Sequence, residues 1–169
     1  MNRVLSNLDL KLFRYLLALP HYPLISRIAR AVSKTGDGWL YVLIMPLSIL
    51  LLKTDVAVNL ILFALLGFAL ERGLYWVLKN GFKRQRPPDA IKNFNSLITP
   101  SDKFSMPSGH TSAAFFVATF LSFAVSLAFL PLYLWALCVG ISRVLLGVHF
   151  PTDIVAGATL GTSIALFVL

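Results

Sequence analysis

The sequence predicts an all-α integral membrane protein: about five transmembrane helices in a bundle, plus an N-terminal amphipathic interfacial helix region. Three observations carry this. Of 169 residues, 57% are hydrophobic and only 13% charged, with a mean hydropathy of +0.79. An ordinary soluble domain is about 45–50% apolar and roughly 25% charged. A soluble globular protein, a disordered tail and a soluble nucleic-acid-binding domain are therefore poor readings. Apolar runs of near-spanning length recur along the chain. The net charge of +8 is concentrated in two blocks of +4, residues 1–37 and 79–110, against an almost charge-free background.

The elements follow in order. Pro20 and Pro23 separate a weakly patterned stretch, Leu8 to Leu19, from a strongly patterned one. In the second, Ser26, Arg27, Arg30, Ser33 and Lys34 share one side of a helix, and Leu24, Ile25, Ile28, Ala29, Ala31 and Val32 fill the other. That pattern suits a helix lying in the membrane interface. No uninterrupted apolar core follows Arg3, so a cleavable signal peptide is not expected. Trp39 to Leu52 is the first span, short against the roughly 20 residues a crossing needs. Lys53-Thr54-Asp55 forms a polar turn, and Val56 to Leu78 the second span. Thr111 to Ser142 carries no charge and is too long for one helix, so a turn near Leu130-Pro131 divides it into spans over 111–128 and 132–148. Pro151 to Leu169 makes the fifth. One domain, 1–169, is expected, with 1–37 interfacial, 39–169 the transmembrane core and 79–110 its active-site loop. Gly157 and Gly161 form a G-x-x-x-G for close helix packing, within one chain ahead of a dimer face. Cys138, in an apolar run, reads as a small buried hydrophobe.

Counting five spans puts Lys79, His110 and the His149–Asp153 segment on one side of the membrane, together with both basic blocks. Ionisable residues at a membrane edge read as functional by default. Pro107-Ser108-Gly109-His110 precedes a long apolar helix: Ser108 suits an N-cap, Gly109 permits close backbone approach, and such a helix start attracts anions. Alone, it is also an ordinary helix start. Arg143 could be a snorkelling side chain, His149 a loop histidine and Asp153 an N-cap. An Asp beside a His can also hold one ring nitrogen and leave the other as nucleophile or base. Lys79 and Arg86 can grip phosphate oxygens. Lys83 and Arg84 fit contact with lipid headgroups. Glu71 could buttress Lys79, though a structural ion pair with Arg72 is favoured. Three cations, two histidines, an aspartate and an anion-binding helix start on one side defeat the bland readings taken together. With no Cys cluster, carboxylate pair or H-E-x-x-H, metal catalysis is poorly supported. A phosphate site using one histidine as nucleophile and another as acid is the natural chemistry.

The ordered set Lys79-(six residues)-Arg86-Pro87, Pro107-Ser108-Gly109-His110 and Ser142-Arg143-(five residues)-His149-(three residues)-Asp153 resembles the three signature motifs of the type 2 phosphatidic acid phosphatase (PAP2) superfamily. The resemblance covers residues 79–153 without departure at a motif position. It implies that His149 attacks phosphorus and forms a phosphohistidine, that Asp153 orients His149, and that His110 protonates the leaving oxygen and then activates water. It implies that Lys79, Arg86 and Arg143, with Ser108 and the Gly109 backbone, bind the phosphate, and that no metal or cofactor takes part. The expected activity is hydrolysis of a lipid phosphate or diphosphate, such as undecaprenyl diphosphate, phosphatidic acid or phosphatidylglycerophosphate. The alternatives are a non-catalytic lipid-binding or transport protein, and a phosphatase or phosphotransferase acting on soluble esters. The expected partners are the lipid substrate and the bilayer, not nucleic acid; a homodimer and a monomer are equally compatible. The resemblance suggests the bacterial inner membrane with the site on its extracytoplasmic face. The positive-inside rule points the other way.

Overall fold

The computed structural model describes residues 7–18, 23–50 and 57–169. The expected turn at Lys53-Thr54-Asp55 and the break at Pro20 lie outside the described residues. Eight α-helices follow in order: α1 (Asn7–Leu17), α2 (Pro23–Thr35), α3 (Trp39–Leu50), α4 (Ala57–Phe82), the single turn α5 (Pro87–Ala90), α6 (Gly109–Phe120), α7 (Leu132–Leu145) and α8 (Pro151–Val168). Among the described residues there is no strand, only an isolated bridge between Gln85 and Phe104. The all-α integral membrane architecture stands. Among the described residues, three segments are long and apolar enough to cross a bilayer: Ala57–Phe82, Leu127–Leu145 and Pro151–Val168. The remaining two expected spans correspond to shorter apolar stretches, the 12 residues of α3 and Gly109–Val125.

The lengths have local causes. After Phe120, α6 widens into a π turn over Leu121–Val125, closed by Ser126 N–H donating to the Leu121 carbonyl at 3.1 Å. Ser126 then turns extended and caps a short 3-10 turn through its hydroxyl. Pro131 stands immediately before α7, so the chain reverses where the proline was expected to turn it. α3 contains Pro46, which has no N–H to give the carbonyl one turn earlier.

Two packing features bring the motif segments together. α8 lies along α6 on its glycine side. A Cβ added at Gly161 would stand 2.0 Å from the Ser112 carbonyl oxygen, and one at Gly157 would stand 2.6 Å from that of Ser108. The G-x-x-x-G is thus occupied within the chain. At the end of α7, Gly147 takes φ +75°. Its N–H donates to the Val144 carbonyl, and Val148 N–H reaches back to that of Arg143. This is a Schellman turn, which needs the left-handed conformation that glycine adopts without strain. Pro151 then opens α8 with its ring preset for the first helical turn. His149 is therefore clamped in a short link between two fixed helix ends.

α2 packs on α7 through Ala29 and Ser33, both buried. Arg27 and Lys34 are exposed, and so are the apolar Leu24 and Ile28. Cys138 is exposed on α7, which corrects the buried reading. In a membrane helix an apolar run can face outward, because lipid accepts what water would reject.

Candidate active site

A cavity of about 590 Å³ lies at the ends of α4, α6 and α7 and runs between α3 and α4. Lys79, Arg86, Gly109, His110, Arg143 and His149 line one end of it. Residues from three separate motifs, up to 70 positions apart in sequence, thus share one space. Ser108 and Asp153, also expected at the site, are fully buried behind this lining. Ser108 occupies the N-cap position of α6, but its side chain makes no capping bond. Its hydroxyl accepts from Thr111 Oγ1 at 2.9 Å, and its N–H donates to the Asp153 carbonyl at 3.0 Å.

His149 is buried, with Nε2 3.2 Å from Arg86 Nη1. A guanidinium can only donate. Nε2 is therefore the acceptor, and the ring proton belongs on Nδ1, which stands 3.5 Å from Asp153 Oδ2, an ion-pair distance without a formed hydrogen bond. This assigns the tautomer from its partners. It leaves the Nε2 lone pair on the cavity side. Asp153 Oδ2 also accepts the Phe150 N–H at 2.8 Å, so the carboxylate caps α8 while it faces the imidazole. Burial pushes the His149 imidazole down to about 4, with Asp153 opposing and Arg86 and Arg143 reinforcing the shift. The ring is consequently neutral at ordinary pH.

Asp102 lies in the 79–110 loop, outside the three motifs. Its carboxylate stands between two of the expected phosphate ligands, accepting from Lys79 Nζ at 2.8 Å and Arg86 Nη2 at 2.6 Å. Tyr75 OH donates to it at 2.9 Å and also meets Lys79. Half-burial would raise the Asp102 carboxyl, but the hydrogen bonds from Lys79 and Arg86 win and hold it down at about 2. Arg86 is fixed further by the Asp102 and Val148 carbonyls, at 2.8 and 2.7 Å. Glu71 does not buttress Lys79. It is wholly buried and forms a two-pronged pair with Arg72, at 2.5 and 2.6 Å.

The N-terminal block joins this end of the molecule by side-chain bonds. Arg143 Nη1 donates to Ser33 Oγ at 2.6 Å, while its buried Nε has no hydrogen-bond partner among the described residues. His110 Nε2 pairs with Asp37 Oδ1 at 2.8 Å. Arg84 is buried and not headgroup-facing: it bonds Asp153 Oδ1 and Thr152 Oγ1, each at 2.6 Å, and pairs with Asp9 of α1. The signal that could have found it is its spacing, five residues after Lys79 and two before Arg86. Asp9, Asp37 and Asp102 carried no local signal.

The arrangement offers an anion three cations, a lone-pair nitrogen and a second histidine whose carboxylate partner can balance a proton. The sequence profile of the PAP2 superfamily matches residues 57–169. The chain belongs to the PAP2 superfamily. Among curated PAP2 relatives, it is 36% identical over 112 residues to the bacitracin transport permease protein BcrC of Bacillus licheniformis, covering 64% of this chain and 54% of that protein. It is 39% identical over 111 residues to phosphatidylglycerophosphatase B of Bacillus subtilis (strain 168), covering 59% and 52%. The chain thus spans about half the length of the curated relatives it matches. The crystal structure of Aquifex aeolicus LpxE matches with a TM-score of 0.83 at 30% identity, covering 99% of this PAP2 chain and 98% of that one.

Proposed function

We propose that the protein is a membrane lipid phosphatase that hydrolyses a phosphomonoester or diphosphate through a phosphohistidine at His149, without a metal. The observation that carries this is the two-sided cavity. Its cationic end is continuous with an apolar part lined by Met45 and Ile49 of α3 and Ile61, Leu65 and Phe68 of α4. A phosphate on an acyl or prenyl chain matches both parts, whereas a soluble ester matches only the first. Undecaprenyl diphosphate, phosphatidic acid and phosphatidylglycerophosphate all fit this description.

In the proposed reaction, a lipid phosphate displaces the Asp102 carboxylate and takes its bonds from Lys79 and Arg86, joined by Arg143, which lines the same cavity. Fixed donors of this kind stabilise charge on a transferring phosphoryl group. His149 Nε2 attacks phosphorus as the bond to the lipid oxygen breaks, and His110 gives that oxygen a proton. His110 then takes a proton from water. The water oxygen bonds to phosphorus, the P–N bond breaks, and phosphate leaves. Asp153, 3.5 Å from Nδ1, balances the imidazolium charge while phosphorus is attached, and Asp37 balances His110 when it is charged.

The test is phosphate release by purified protein from those three lipids. His149→Ala and His110→Ala should each abolish release while the protein still inserts and folds. Vanadate, which takes the five-coordinate geometry of phosphorus in flight, should inhibit, and EDTA should not. Turnover by either histidine variant, or EDTA inhibition reversed by a divalent ion, overturns the mechanism. We further place the protein in a bacterial inner membrane with the site on the extracytoplasmic face, since phosphate binding by Lys79 and Arg86 weakens the charge rule there.

A further inference from the structure

We propose that Arg84 and Asp9 are positioning residues for His149, acting through Asp153. The inference rests on the reading of His149 as the nucleophile. Both residues are buried, and neither lines the cavity, so they do not meet substrate. Their bonds lead instead to the back of the Asp153 carboxylate. One oxygen of Asp153 faces His149 and takes the Phe150 N–H; the other takes Arg84 Nη1 at 2.6 Å. A carboxylate bound at both oxygens cannot rotate, so the direction in which it meets the imidazole is fixed. Arg84 is itself fixed, with its guanidinium carbon 4.6 Å from the Phe150 ring centre and Nη2 on Asp9. Asp9 also accepts Thr152 N–H at 3.1 Å and Thr152 Oγ1 at 2.7 Å, which ties α1 to the first turn of α8.

Charge explains why two acids share one arginine. Arg84 alone would cancel the charge of Asp153 and weaken its hold on the Nδ1 proton. Asp9 draws on the same guanidinium, so Arg84 is shared between two acids and Asp153 keeps more of its own charge. That charge on Asp153 favours the Nδ1–H tautomer and the cationic ring that exists while phosphorus is attached. Buried ion networks seldom stabilise a fold more than apolar side chains of the same volume would. Fold stability alone is therefore a weak account of a triad set against this histidine. The outcome is that α1, far from the three motifs in sequence, completes the catalytic end of the chain.

The test compares the wild-type chain with Asp9→Asn, Asp9→Glu and the double variant Asp9→Asn/Arg84→Gln, which removes the Arg84–Asp9 pair as a unit and frees the second oxygen of Asp153. Each is purified in detergent. Turnover is measured on phosphatidic acid in mixed micelles, and the His149 ring is followed by ¹⁵N NMR of histidine-labelled protein. Asp9→Asn and the double variant should lose about ten- to hundredfold in kcat, as expected when a group orienting a functional residue is removed. KM should stay within twofold. Their His149 signals should change from a single Nδ1–H form to a mixture of tautomers, and Asp9→Glu should recover most of both properties. Wild-type kcat together with an unchanged His149 spectrum in folded variants overturns the relay. So does failure of both neutral variants to fold, which would make the trio a structural clamp. If wild type releases no phosphate from this lipid, phosphatidic acid is not the substrate and the NMR comparison decides the relay. If His149→Ala retains activity, the nucleophile reading and the relay both fall.

Discussion

Burial and two neighbouring guanidinium groups keep the His149 imidazole neutral down to about pH 4, against an ordinary value of 6.5. The acid limb of kcat/KM should therefore lie nearer pH 4 than 6.5, since that limb reports the free enzyme. A limb at 6.5 would show the ring to be solvated. The sign for stability is the same: the unfolded chain takes up this proton from about 6.5 downward and the folded one resists. Stability should thus fall as pH drops from 7 towards 4. Asp102 titrates in the opposite sense to need: held at about 2, it stays ionised and bound to Lys79 and Arg86 at every working pH. Asp102→Asn removes the internal competitor for those cations. Ion pairs open to solvent contribute about 0.2–1 kcal/mol each, so with two pairs lost KM for a lipid phosphate should fall by about two- to thirtyfold. A rise in KM would instead make Asp102 part of the substrate's binding surface. Lys79, Arg86, His110, Arg143 and His149 could be read from the sequence because each sits at fixed spacing within a motif. Asp9, Asp37 and Asp102 could not, because their role comes from partners far away: 75 residues separate Asp9 from Arg84 and 73 separate Asp37 from His110.

At the level of elements, α6 and α8 are in backbone contact. Any side chain at Gly161 must push the Ser112 carbonyl aside, and nothing there is a flexible side-chain end. Gly161→Val should destabilise by about 1–3 kcal/mol, the usual penalty of overpacking. Thermal unfolding in detergent checks this, and a wild-type midpoint would mean that the helices part freely. The same substitution should lower activity, because the Ser108 N–H to Asp153 carbonyl bond links the two motif segments across that contact. Helix positions were legible from apolar runs and from Pro131 and Pro151. The early end of α6 was not, because Leu121–Val125 is as apolar as the helix before it and periodicity does not separate an α from a π turn. The polar side of α2 was legible too, but its division was not. Ser33 turns inward to Arg143, while Arg27 and Lys34 remain outside.

Across the whole molecule, the N-terminal segment and the motif segments meet at the cavity's charged end. Ser33 and Asp37 of the first block bond Arg143 and His110, while Lys79 and Arg86 come from the second. Which side of the membrane holds this end is decided by labelling single cysteines in the 79–110 loop with an impermeant thiol reagent. Cys138 is removed first, so that each variant carries a single thiol. Labelling in intact spheroplasts is expected, and labelling only after lysis would put the site in the cytoplasm. The cavity's two linings also bear on traffic. Leu65, at its apolar edge, is 62% exposed. If the proposed substrate is phosphatidic acid, the lipid product has no phosphate left for the cations to hold, and the released anion has no apolar part for α3 and α4. The two halves of a cleaved molecule then depart in different directions, one sideways into the bilayer and one into water. Neither has to cross the other's path before the next molecule arrives.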